Sequence, residues 1–177
     1  RLSFDLTGLP PQKSEIRNLN SEIDSLLSSP HYGERMAIAW LDQVRFADTI
    51  GYHSDNPHNV WPYRDYVIRS FNDDKPYARF VAEQLAGDEI DGADEESLIA
   101  TGFGRNGTSN DDNMGKTAEA LAQYRADQLD NVISTTSQVF LGLTIGCARC
   151  HNHKTEPLTS RDYYSLLAIF NGVQKHG

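Results

Sequence analysis

The sequence predicts a mainly α fold, an irregular helical domain interrupted by two long loops. Two observations predict it. Apolar residues recur three and four apart in one stretch after another. No run alternates with period two long enough to make a sheet, and no internal repeat is present. The 177 residues suffice for one domain with a core of its own, so residues 1–177 read as a single helical domain.

The elements follow in order. The opening residues read as an extended segment ended by Pro10-Pro11. Ile16, Leu19, Ile23, Leu26 and Leu27 then recur at helical spacing. Ser28-Ser29-Pro30 stops that helix and starts the next, with proline early in the new helix. There Tyr32, Met36, Trp40 and Val44 share one face, and Ala47 extends the stripe. Residues 49–60 break the pattern with Gly51, Pro57, two Asn and two His, and read as the first long loop. Trp61-Pro62 opens a third helix that runs to Phe71. Pro76 opens a fourth, with Phe80, Val81 and Leu85 facing inward and Gly87 at its C-cap. A short helix follows an acidic turn, from Asp94 to Thr101.

Residues 102–116 are rich in Gly, Asn and Asp and form the second long loop. Loops of this length are often functional. The longest helical pattern comes next, from Ala118 through Leu129, Val132 and Ile133 to Phe140. Its β-branched Thr135, Thr136 and Val139 carry a modest helical cost that packing can override. Finally, Thr159-Ser160-Arg161-Asp162 resembles a capping box. It starts a last helix with Tyr163, Leu166, Leu167 and Phe170 inward.

Charge and length exclude several function classes. Lys plus Arg total 16 against 25 Asp plus Glu, a net charge of −9. An acidic surface repels phosphate backbones, so nucleic acid is not an expected partner. A membrane-spanning helix needs about 18 apolar residues, and the longest such stretch is the short run at 139–145. The chain starts at Arg1-Leu2-Ser3-Phe4, with neither an initiator Met nor a signal-peptide core, and reads as a processed chain or a piece of a longer protein.

The chemistry is carried by Cys147-Ala148-Arg149-Cys150-His151, a C-x-x-C-H motif that uses both cysteines of the chain. This is the attachment signature of a c-type haem. Two thiols about one helical turn apart can each add to a haem vinyl group, and the adjacent His can then ligate the iron. One covalent haem is therefore the expected cofactor, held by Cys147 and Cys150 with His151 as proximal ligand. A zinc site using Cys147, Cys150, His151 and His153, or sharing His53 or His58, is the rival. A thioredoxin-like redox pair ranks third, because no βαβ pattern precedes Cys147.

The surroundings of the motif extend the reading. Residues 147–154 read CARCHNHK, followed by Pro157 and Asp162-Tyr163-Tyr164. Further blocks are FDLTGLP at 4–10, SPHYGER at 29–35, WLD at 40–42, WPYRD at 61–65, QLAGD at 84–88 and ATGF at 100–103. Together they resemble planctomycete cytochrome-c-like proteins that contain an associated domain of unknown function. The resemblance runs over nearly the whole chain. Met36 stands where that pattern has Trp, and Asn152 and Glu156 where it has Asp. Residues 111–114, Asp-Asp-Asn-Met, replace a Gly-rich acidic stretch. The resemblance implies an exported (periplasmic or extracellular) haem-bearing protein, often with further domains.

A haem that only carries electrons usually has a second axial ligand, whereas chemistry needs an open face. His53, in the first long loop, is the expected distal ligand, with Met114 of the second loop in reserve and His58 behind both. Met36 shares a stripe with Tyr32 and Trp40 and reads as core. His153 is badly placed for the opposite haem face, and ordering its own loop is as good an account as any ligand role. His31 and His176 read as surface residues. Arg64 and Trp61 suit a haem propionate and a porphyrin edge, but an ion pair to a surface acid and a core position explain them more simply. The expected function is a monohaem cytochrome c domain passing electrons to a redox partner protein. The alternatives are a haem enzyme with an open face, an electron feeder to a catalytic domain, or a haem-stapled self-assembly.

Overall fold

A computed structural model of the chain describes residues 1–11, 18–51, 55–108 and 117–172. Among them the regular structure is helical, as expected. Among the described residues no strand forms, and the one β pairing is an isolated antiparallel bridge between Thr49 and Pro57. The contacts divide into two compact units. The first comprises Arg1–Asp48 and Asn59–Asn106, the second Thr49–His58 and Gly107–Gly177.

The first unit holds six helices among its described residues. α1 (Leu2–Thr7) replaces the extended segment that the sequence suggests. A six-residue helix is too short to show a period, and its hydroxyls hold it. Thr7 Oγ1 donates to the Ser3 carbonyl (2.8 Å), and Ser3 Oγ donates to the Leu9 carbonyl (2.8 Å). Gly8 ends the helix at φ 70°, a left-handed cap that glycine adopts without strain. α2 (Leu19–Leu27) starts at Asn18, whose side chain accepts from the Asn20 N–H. Ile16 lies outside the described residues.

α3 (Pro30–Gln43) has Ser29 as N-cap and proline in its first turn, as the sequence indicates. Arg45 then turns left-handed at φ 57°, so Ala47 lies beyond the helix rather than on its stripe. α4 (Trp61–Asn72) packs closely on α3. A Cβ on Gly33 would stand 2.4 Å from the Ile68 carbonyl oxygen, so this crossing requires glycine. The Gly33 N–H is held by the Asn72 side chain at 2.7 Å.

α5 (Tyr77–Ala86) differs most from its predicted inward face. Leu85 is 37% exposed, while Phe80, Glu83 and Gln84 are buried. Polar partners explain the exchange. Gln84 Oε1 accepts from Tyr63 OH (2.6 Å) and Trp40 Nε1 (3.1 Å). Glu83 accepts from Lys75 Nζ (2.5 Å), Arg79 Nε (2.6 Å) and Tyr66 OH (2.8 Å). Burial alone would push the Glu83 carboxyl up, but these three donors outweigh it and hold it below the usual carboxylate range. α6 (Glu95–Ala100) begins with an Asp94/Ser97 capping box. A 3-10 turn at Thr101–Arg105 takes up the first part of what reads as loop in the sequence.

Among its described residues the second unit is built on two α-helices. α7 (Ala118–Thr136) continues into a π turn at Ser137–Leu141, which Gly142 closes at φ 65°. α8 (Ser160–Phe170) carries the expected capping box, with Thr159 and Asp162 bonded reciprocally. Its core joins Ile133 of α7 to Tyr163 of α8 through Ile145 and Ala148, and Leu166, Leu167 and Phe170 pack against it. Among the described residues no helix is long and apolar enough to cross a membrane.

Candidate functional site

The C-x-x-C-H motif lies in the connection between α7 and α8. A 3-10 turn covers Gly146–Arg149, closed by the Ala148 N–H on the Ile145 carbonyl at 2.8 Å. The Cys150 and His151 N–H groups both return to the Cys147 carbonyl, at 3.3 and 3.4 Å. Such a turn eclipses side chains three apart, which is the spacing of the two cysteines. Cys147 and Cys150 are exposed free thiols, and His151 is exposed beside them.

The two intervening residues fasten the turn to the unit. Ala148 is buried in the core. Arg149 Nη2 donates to Asp127 Oδ1 (2.9 Å), and Nη1 lies 3.5 Å from Asp130 Oδ2, both acids on α7. Tyr163 OH donates to the other Asp130 oxygen, and Tyr164 OH donates to the Arg149 carbonyl (3.0 Å). The Asp127 hydrogen bond and the nearby Asp130 charge raise the Arg149 guanidinium above its usual value despite some burial. Hydrogen bonds from Gln123 and Arg149 lower the Asp127 carboxyl. Burial raises the Tyr163 hydroxyl, and its bond to Asp130 adds to that. Nothing in the sequence marks these clamps except the spacing of Asp127 and Asp130, three apart on one helical face.

The two histidines of the loop hold opposite hydrogen-bond roles. His151 Nδ1 lies 2.8 Å from the Asn152 carbonyl oxygen, which can only accept. His151 Nδ1 is therefore the donor, and in the neutral ring this leaves the lone pair on Nε2. His153 Nδ1 accepts from the Glu156 N–H at 3.0 Å, which puts the proton of its neutral ring on Nε2. The His153 N–H itself bonds the Leu158 carbonyl at 2.8 Å, so this residue orders the loop. Asn152 serves twice, since its side-chain oxygen also accepts the Ser160 N–H at 3.0 Å at the start of α8. An amide oxygen fills that role as an aspartate would.

A model of the family described as PSCyt2, protein of unknown function (DUF1549), matches residues 1–175. The chain belongs to that family. No curated protein and no solved structure matches it. In this PSCyt2 family member the distal candidates His53 and Met114 lie outside the described residues, as does His176. His58 is half-buried. Met36 is half-buried on α3, as expected of a packing residue. His31 is exposed and bonds Glu34 at 2.7 Å. Arg64 pairs with Asp65 at 3.0 Å. Trp61 is 49% exposed at the start of α4, which corrects its expected core position. Among the described residues no three His, Cys, Asp or Glu side chains gather as a metal-ion site.

Proposed function

We propose that the chain carries one covalent c-type haem and serves as an electron-transfer module. Cys147 and Cys150 would form the two thioethers and His151 would be the proximal ligand. The observation that carries this reading is the state of His151. Its Nδ1–H is bound to the Asn152 carbonyl, which leaves Nε2 as a ligand atom beside two exposed thiols. Metal-bound imidazoles commonly have their other nitrogen fixed in this way. The turn is also held before any cofactor arrives, by Ala148 in the core and Arg149 on α7.

Bound haem supplies a one-electron couple whose potential depends on its axial ligands and burial. His53 is proposed as the second ligand. The described flanks of its loop belong to the same compact unit as the motif. Export to the periplasm or beyond, and a redox protein as partner, complete the reading.

The test is an absorption spectrum of the chain made in a host able to mature c-type haem, oxidised and dithionite-reduced, with intact mass on the same sample. Sharp reduced α and β bands and the mass of one haem that survives denaturation are expected. The bare polypeptide mass with no Soret band would defeat the reading. His53→Ala should keep the haem mass and change the spectrum and potential. If both stay as in the wild type, His53 is not the ligand.

A further inference from the structure

The first unit holds an open cavity of about 340 Å³, the size of a small-ligand site. Its lining comes from α3, α4, α5 and the turn between the last two, whereas the C-x-x-C-H motif belongs to the other unit. Five aromatic side chains line it: Tyr32 and Trp40 of α3, Phe71 of α4, and Tyr77 and Phe80 of α5. Phe80 is buried and gathers the others, with the Trp40 ring at 4.8 Å and the Phe71 ring at 6.0 Å, both tilted against it. Trp40 Nε1 donates to Tyr63 OH and Gln84 Oε1, each at 3.1 Å, which fixes the indole. Tyr77 is 60% exposed, so the cavity runs from the core to solvent.

The two charges on this lining differ in their partners. Lys75 Nζ is engaged by Glu83 at 2.5 Å and sits 4.5 Å from the centre of the Tyr66 ring. Asp74 is exposed, and among the described residues its carboxylate makes no hydrogen bond or ion pair. Its place in the chain does not favour an acid. It turns left-handed at φ 47° just past α4, where the Lys75 N–H returns to the Ser70 carbonyl at 3.0 Å. Glycine or asparagine usually takes such a position, and a helix C-terminus favours cations rather than carboxylates. Residues that break local rules are expected where they serve a function.

We propose that this cavity binds a small free organic cation bearing a trimethylammonium group, of the size of choline. Aromatic rings attract a cation through their quadrupole, and methylated ammonium groups are the ligands that aromatic cages take. A primary ammonium is strongly hydrated, and aromatic walls with one carboxylate replace little of that water. Asp74 and the partially negative end of α4 add charge attraction that no neutral ligand shares. The proposal does not rest on the haem reading and holds for the chain with or without haem.

Titrations followed by the Trp40 indole N–H resonance test it. The probes are choline, its uncharged carbon analogue 3,3-dimethylbutan-1-ol, and ethanolamine. Choline should give a saturable shift and bind about tenfold more tightly than either of the others. Asp74→Asn should weaken choline about two- to fivefold and leave the alcohol unchanged. Tyr77→Ala should weaken choline by a similar factor of about two to five, whereas Tyr77→Phe, which keeps the ring, should bind as the wild type does. Both side chains are exposed, so the rest of the spectrum should stay that of the folded chain. Vesicles of phosphatidylcholine separate a free cation from a lipid headgroup: the protein should not sediment with them. No saturable shift with choline would overturn the proposal. So would equal binding of choline and the alcohol, choline affinity that neither Asp74→Asn nor Tyr77→Ala changes, or sedimentation with the vesicles in the absence of a choline shift.

Discussion

Glu83 is an acid at a position where α5 needs an inward side chain. It is tolerable there because three donors reach it, from Lys75, Arg79 and Tyr66. Lys75 and Arg79 keep 20% and 43% of their side chains in solvent, so removing the Glu83 charge strands no buried cation and forfeits charge-assisted hydrogen bonds worth about 2 kcal/mol. Glu83→Gln should therefore lower stability by roughly that amount at pH 7. The carboxyl is lowered in the folded state, so its contribution is present above the unfolded value of about 4.3 and fades as pH falls through the folded one. Urea unfolding at pH 7 and again near pH 3 should show the deficit close; an equal deficit at both would contradict the charge account. The loop histidines make a second pair of expectations. If the chain carries haem as proposed, His151→Ala should leave two thioethers and their mass but change the spectrum, whereas His153→Ala should loosen the loop and keep the spectrum of the wild type. Both positions are visible in the sequence as part of CARCHNHK. Their opposite hydrogen-bond roles are not, because those depend on where the Asn152 carbonyl and the Glu156 N–H fall after folding.

Elements with a clear period or a clear cap were readable, and those without were not. The Ser29-Pro30 start of α3 and the Thr159/Asp162 box of α8 stand as local chemistry in the chain. The brief α1 has no period to show, and the inward row of α5 is set by Tyr63, Trp40 and Lys75, which no local pattern reveals. Gly87 makes the same point at the end of α5. It occupies the C-cap, yet its φ of −62° is open to any residue, so no left-handed turn explains it. What it supplies is room, since a Cβ would stand 1.9 Å from the Ser97 carbonyl oxygen where α6 crosses. Gly8 is the converse, with φ 70° and only ordinary contact to Arg35 Cδ at 3.5 Å. Gly8→Ala should cost about 1 kcal/mol through strain, while Gly87→Ala must displace backbone and should cost about 2–3 kcal/mol. Denaturant melts of the two variants measure the order; a milder Gly87→Ala would mean that α5 and α6 separate easily.

At the scale of the whole molecule the decisive quantity is charge. A net −9 on 177 residues sets up a negative field that small ions and partners meet before any contact. If the chain carries haem, that field acts on its electron exchange. A cationic reagent is drawn in and an anionic one repelled, and salt screens both over about 10 Å at 0.1 M. The rate constant for reduction by a cationic metal complex should therefore fall as salt rises, and that for an anionic complex should rise. Stopped-flow traces of the haem-loaded protein at low and high salt read both slopes. Slopes of those signs would point to a basic redox partner. Reversed slopes would mean that the surface around the motif overrides the total, with Lys154, exposed three residues after His151, as the residue to neutralise next.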